Sequence, residues 1–521
     1  LHQLFRTKSL DDLVAETREE GHQLKKVLGP VNLIALGIGA IIGAGIFATI
    51  GTAAAGDAHR PGAGPALMIS FVVTAVVCGF TALCYAEFAS MVPVAGSAYT
   101  YSYATLGELV AWIIGWDLIL EYAIGNVAVA ISWANYFKTL LEGLNFEVFG
   151  HKIEGIRLPP WMTIDYRTAH QKIPEIVANA PHVFGIPIVF NILAFAIVAL
   201  ITVVLVWGVK ESARFNAVMV GIKLVVLAFF VFVSFKFVKP ANWHPFAPNG
   251  FAGISTGAAI IFFAYIGFDA VSTCAEECRD PKRDMPIGII GSLIICTVIY
   301  AVIAAVFTGM IPFSALRQLT SSQQAEPLTM AMKFVSMPNY MVGIVALGSV
   351  IAHTAVLLVF QLGQPRIFFA MARDGFLPPV FARVHPRFGT PHVTTILTGV
   401  LVGVAAAVAN IDEMVDLTNI GTLFAFILVC LGIIVLRYKD PGRERPFRVP
   451  LGPVLLPGLG LVSCAFLIYY LPPSSWMRFF LWLLTGLVIY ILYGYRHSRL
   501  RNGPRPHDFN PASALPPQDL E

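Results

Sequence analysis

The chain has 521 residues, of which 57% are hydrophobic and only 13% charged, whereas water-soluble domains charge about a quarter of their positions. So little charge excludes a solvated globular protein and makes lipid the implied solvent. The formal charge of +4 is too small to point to nucleic acid.

Residues 1–30 mix Asp11, Asp12, Glu16, Glu19 and Glu20 with Arg6, Arg18, Lys25 and Lys26, and lack an apolar stretch of signal-peptide length. They read as a cytoplasmic lead-in. Apolar runs then follow near 31–56, 65–92, 108–139, 187–209, 213–237, 251–278, 286–311, 339–371, 392–409, 415–437, 453–472 and 476–495. Each is near the roughly 20 residues that a helix needs to cross a bilayer. The expected fold is therefore an all-α polytopic membrane protein of about twelve helices. The tail 496–521, rich in Pro and Arg, reads as a disordered cytoplasmic end. With both ends inside, most of the 35 Lys and Arg fall in cytoplasmic segments, as the positive-inside rule requires. The seven cysteines lie in apolar or near-apolar segments, which argues against a disulfide framework.

The first span carries Leu36-Gly37-Ile38-Gly39-Ala40-Ile41-Ile42-Gly43-Ala44-Gly45-Ile46-Phe47. Glycine costs a helix interior about 1 kcal/mol relative to alanine, so the ladder is expected to fail around Gly43 and Gly45. The sixth span has a second weak point at Phe262-Phe263-Ala264-Tyr265-Ile266-Gly267-Phe268-Asp269, with Asp269 placed to cap a new helical half. Glycines of this kind also serve close helix packing. Breaks in spans one and six define a repeat of five helices, and an odd repeat inverts its second copy. The expected organisation is a first repeat over 31–238, a second over 239–438 and two added helices over 439–495. Broken helices at membrane depth expose N–H and C=O groups that hydrocarbon does not tolerate, so they must face protein or a polar cavity. Such a cavity suits a zwitterion: N–H groups of Ala44 and Gly45 for a carboxylate, carbonyls ending the preceding half for an ammonium.

Ionisable residues inside the spans are few. Lys223, in the fifth, must be paired, solvated or able to shed its proton, unless it snorkels to the surface. Asp117 and Glu121 share a face of the third span, and Glu121 is a second candidate for a proton path or a structural hydrogen bond. His353 in the eighth span is read either as a satisfied packing residue or as a group that tunes coupling. Glu87, Glu276 and Glu277, with Arg279 and Arg283, sit near the inner ends of spans two and six as candidates for a cytoplasmic gate, the two arginines being equally readable as solvated loop residues.

Several long motifs in order resemble the cationic amino acid transporter branch of the amino acid, polyamine and organocation superfamily, as a bacterial member. They are the run from Gly37 to Phe47, Tyr85-Ala86-Glu87-Phe88, Pro93-Val94-Ala95-Gly96-Ser97-Ala98-Tyr99, and Gly115-Trp116-Asp117-Leu118-Ile119-Leu120-Glu121-Tyr122. Ser212-Ala213-Arg214-Phe215-Asn216, the run from Phe262 to Asp269, residues 276–286 and Arg373-Asp374-Gly375 complete the set. The resemblance implies a leucine-transporter-type fold and places a substrate carboxylate on Ala44 and Gly45. It places the ammonium on the carbonyls of Ile41, Phe263, Ala264 and Ile266, with Phe263 as an outer gate. It also makes Lys223 a stand-in for the cation of sodium-coupled relatives. Phe360 is expected to floor the side-chain pocket and favour small substrates, or simply to pack.

The function expected is proton-coupled symport of L-amino acids, small and neutral, across a bacterial inner membrane. A cationic amino acid carrier or an exchanger is the near alternative, and an amino acid-sensing transceptor one of another class. No cofactor, metal, nucleic acid or enzymatic activity is expected, since neither metal-ligand spacing nor a nucleophile–base set occurs in the spans. The expected partners are the amino acid, protons and lipid, with a small accessory subunit left open.

Overall fold

The computed structural model describes residues 6–8, 28–57, 60–91, 97–143, 146–148, 151–153, 155–208, 213–319 and 321–502. Most of the expected lead-in and most of the expected tail lie outside these residues. Among them are eight apolar helices of spanning length and four shorter ones, which matches the twelve spans expected.

The first span comes in two pieces, α1a (Pro30–Ile41) and α1b (Ala44–Ala48), continued by Ile50–Ala55. It is followed by α2 (Leu67–Met91), α3 (Glu108–Gly143), α4 (Ile192–Trp207) and α5 (Ala213–Ser234). The sixth span is α6a (Gly250–Ile261), a 3₁₀ turn Phe262–Tyr265, and a second 3₁₀ segment, α6b (Phe268–Glu277). Then come α7 (Pro281–Met310), α8 (Asn339–Arg373), α9 (His392–Val408), α10 (Ile411–Lys439), α11 (Leu455–Tyr469) and α12 (Pro473–Ile489).

Local chemistry sets several of these ends. The Asn191 side chain accepts the Ala194 N–H at 3.1 Å and starts α4, and Asn410 does the same for α10 with Asp412 N–H at 2.9 Å. Pro281 and Pro473 occupy first-turn positions of α7 and α12, where a missing N–H costs nothing.

Packing repeats under a shift of five helices. α2 lies on α7, α3 on α8 and α4 on α9, each pair formed by equivalent members of the two halves. α1 packs on α7 as α6 does on α2, and α5 on α8 as α10 does on α3. This is what two inverted copies of a five-helix unit produce, with α11 and α12 added against α10. Outward positions such as Leu200, Phe232, Val298 and Phe480 are exposed and apolar, as a lipid-facing belt requires. The α3–α4 connection has secondary structure of its own. It holds the hairpins Phe146–Val148 with His151–Ile153 and His182–Val183 with Ile186–Pro187, and a small core of Ile164, Ala169, Ala180 and Val189.

Glu87 fastens one end of the bundle. Fully buried in α2, its carboxylate accepts from Arg437 Nε at 3.0 Å and from Arg437 Nη2, and from the Val449 N–H at 2.7 Å; Arg445 Nε lies 3.5 Å away. Glu87 thus pairs away from Arg279 and Arg283. Both of those arginines are exposed, because the α6b–α7 turn projects them outward, and Glu87 is spent on the α10–α11 connection. The side chains of Glu276 and Glu277 lie outside the described residues. Removing one partner of a buried ion pair strands the other charge and costs about 3–5 kcal/mol. Glu87→Ala is therefore expected to lower the melting temperature of detergent-solubilised protein far more than Lys282→Ala, which removes only an exposed pair with Glu444.

Candidate functional site

The break in α1 can be followed bond by bond. The Ile42 N–H reaches the Ile38 carbonyl at 2.8 Å and completes α1a, but the Gly43 N–H turns back to the Ile41 carbonyl at 2.8 Å. In an unbroken helix Gly43 would have donated to Gly39. That orphaned carbonyl is taken instead by Lys223, whose Nζ donates to it at 3.0 Å across the α1–α5 contact. Lys223 is buried with 3% exposure, so it reaches inward to the break and does not snorkel. The N–H groups of Ala44, Gly45 and Ile46 open α1b, where no preceding turn exists to receive them.

In the sixth span the chain leaves its first 3₁₀ turn at Ile266 (φ −58°, ψ 132°) and reverses at Gly267, whose φ of +117° belongs to the region that favours glycine. A Cβ at Gly267 would also press on the Ala40 carbonyl oxygen, 2.6 Å away. Gly267 therefore holds the cap position that Asp269 was expected to fill. Asp269 lies in the first turn of α6b, and its carbonyl accepts the Ser272 hydroxyl at 2.6 Å.

The two breaks meet face to face. A Cβ on Gly45 would overlap the Ala264 Cα, so only glycine allows the approach. Tyr300 of α7 reaches both, its hydroxyl 2.9 Å from the Ile41 carbonyl and 2.9 Å from the Ala264 carbonyl. Phe71 and Tyr265 pack around its ring. Ile41, Ala44, Gly45, Phe263, Ala264 and Ile266 are all buried at this junction. Phe360 is half-buried and packs on Tyr122 and Gly125 of α3, while Val356, one turn earlier, is the α8 side chain that meets Gly43.

Behind the junction, Glu121 is buried in α3 beside Thr422 of α10 and within electrostatic range of Asp269. Asp117 is buried one turn away with no hydrogen-bond donor among the described residues. His353 packs against Phe47 of α1b and Tyr136 of α3. At the mouth opposite Glu87, Arg60 donates to Asp416 at 2.7 Å and to Asp57 at 2.7 Å, and Thr52 donates to Asp412 at 2.9 Å. A cleft lined by Ala48, Thr49, Thr52, Ile260 and Val415 lies at these groups. This closure was missed in the sequence; the acids Asp412, Glu413 and Asp416 at the head of a membrane span were its available signal.

Two spanning helices, each unwound where it faces the other and held by a buried lysine and a tyrosine, define a membrane transporter. The chain belongs to the amino acid permease family, whose sequence model matches residues 28–492. It is 46% identical to the branched-chain amino acid permease BcaP of Bacillus subtilis (strain 168), over 95% of this chain and 99% of that protein. It is 42% identical to the methylthioribose transporter of the same organism over the same shares. It is 35% identical to the vacuolar cationic amino acid transporter 4 of Arabidopsis thaliana, over 85% of this chain and 68% of that one. The resemblance seen in the sequence motifs is borne out, and the chain is a multi-pass amino acid permease.

The contact at Gly45 yields a direct test. Gly45→Ala drives a methyl into the Ala264 backbone, which cannot swing aside, at a cost of about 1–3 kcal/mol. Uptake by reconstituted protein is expected to fall below a tenth of wild type, with a lower melting temperature, whereas Gly221→Ala, which has open space around it, leaves both unchanged.

Proposed function

We propose that this permease is a proton-coupled symporter of neutral L-amino acids, working by alternating access in a bacterial inner membrane with both termini cytoplasmic. The observation that carries the reading is the bond from Lys223 to the Gly39 carbonyl, because it ties the charge of a buried ammonium to the geometry of the broken helix. With its proton, Lys223 holds the end of α1a. Without it, the amine keeps two N–H donors but loses the charge that strengthens this bond, and α1a is freer to tilt. Glu121, buried between α3 and α10, serves as the second group on the proton path.

The substrate lies at the junction of the breaks, its carboxylate on the N–H groups of Ala44 and Gly45 and its ammonium on the carbonyls of Ile41, Phe263, Ala264 and Ile266. Backbone groups of this kind read the amino acid core and leave the side chain to the walls. Val356 and Phe263 give those walls an apolar character, which favours a neutral side chain; Phe263 also serves as the outer gate. That one relative is named for branched-chain amino acids supports the same choice. The repeat boundaries at 31–238 and 239–438, and the distribution of Lys and Arg, supply the topology. The chain acts as a carrier and not as an enzyme.

Purified protein in liposomes is expected to accumulate leucine, valine or alanine in preference to lysine when an inward proton gradient is imposed. Lys223→Ala is expected to abolish accumulation. Sodium-dependent uptake that ignores the proton gradient rejects the coupling, and obligatory counterflow of a second amino acid favours an exchanger.

A further inference from the structure

Between α7 and α8, Ser321–Gln324 and Pro327–Phe334 form two short helices that lie over the end of the first span. The Gln324 carbonyl presses against Gly51 so closely that a Cβ there would collide with it, and the Thr52 hydroxyl lies 3.4 Å from the Gln324 side-chain oxygen. The Ala325 carbonyl, on a residue 1% exposed, lies 3.2 Å from Ser132 Oγ of α3. Ser132 Oγ is also 2.9 Å from His353 Nε2, and His353 Nδ1 is 2.7 Å from the Ser349 carbonyl.

Counting hydrogens gives this chain two states. A carbonyl can only accept, so Nδ1 carries a hydrogen whatever the charge of the ring, and a neutral ring presents Nε2 as a lone pair. Ser132 has one hydroxyl hydrogen and two acceptors for it. With His353 neutral, that hydrogen goes to Nε2 and the Ala325 carbonyl loses its donor, which is costly for a buried acceptor. With His353 protonated, Nε2–H donates to Ser132 Oγ, and the serine is free to donate to Ala325.

We propose that His353 is a proton-operated latch: its protonation directs the Ser132 hydroxyl onto Ala325 and fastens the 321–334 segment over α1b. This role goes beyond the coupling assigned to Lys223 and holds whichever group carries the transported proton. Other titratable groups face the ring from each side. α3 brings Tyr136, whose hydroxyl donates to the Phe47 carbonyl at 2.7 Å, and α5 brings Lys223 within electrostatic range. The capping segment brings Glu326 and Lys333, paired at 3.6 Å. α1b adds none. Glu326 also accepts from Thr329 at 2.7 Å and from Thr139, so a carboxylate is the one competing sensor on the segment itself.

Hydrogen–deuterium exchange of the full chain in nanodiscs, corrected for intrinsic exchange, reads the latch without substrate or transport and so fails independently of the symport reading. Peptides covering 321–334 are expected to exchange about fivefold more slowly near pH 3.5 than near pH 8.5 in the wild type, a window that reaches well to the acid side of ordinary histidine titration. Ser132→Ala and His353→Gln are expected to give equal protection at both pH values, and Glu326→Gln to keep the wild-type difference. A wild-type profile that is flat or of opposite sign overturns the proposal. So does a difference that survives Ser132→Ala or is lost in Glu326→Gln.

Discussion

A backbone carbonyl or amide that has lost its helical partner has no water to turn to inside a bilayer, and every feature of the central junction answers that constraint. Unwinding α1 frees the Gly39 carbonyl, which Lys223 takes, and the Ile41 carbonyl, which the Gly43 N–H and the Tyr300 hydroxyl both reach. Shortening α6a leaves the carbonyls of Ala259 and Ile260 to the Asn419 side chain of α10, at 2.8 and 3.1 Å. Three different helices therefore send a polar side chain to pieces of two others. The junction is held by the scaffold and not by its own winding, which is what allows it to be irregular and still defined.

The two ends of the bundle are closed by different chemistry. At one, Glu87 is enclosed by two arginines and a backbone N–H from the α10–α11 connection. At the other, Arg60 bridges Asp57 and Asp416 across the first and tenth spans. Buried pairs of this sort repay their desolvation only while both partners stay in place. Each therefore ties its segments together only as a complete set of partners.

Much of this was legible in the sequence because it rests on local departures from a regular apolar helix. Gly43 and Gly45 announced the first break, the run from Phe262 to Asp269 the second, and Lys223 stood out as a charge in an apolar run. The 3₁₀ winding of α6b was not legible, since its residues are as compatible with an α-helix as with the tighter turn. Nor were Tyr300, Val356 and Arg60, each of which has a partner hundreds of positions away and looks like an ordinary residue in its own segment. The expectation for Asp269 failed for an instructive reason: a glycine with left-handed backbone two residues earlier already ended the preceding turn. The partners of Glu87 were misjudged because proximity along the helix ends favoured Arg279 and Arg283, while the chain returns Arg437 and Arg445 to the same place.

Tyr300 also bears on how tightly such a junction can hold anything. The Tyr300 hydroxyl has one hydrogen to give and lies within reach of both the Ile41 and the Ala264 carbonyl, so an ammonium that comes to the pair shares them with a tethered donor, a rival that never diffuses away. Affinity is then a difference between two occupants and not the full strength of either. A built-in competitor of this kind keeps the grip moderate, and a carrier that must let go on the far side of the membrane works best with a moderate grip.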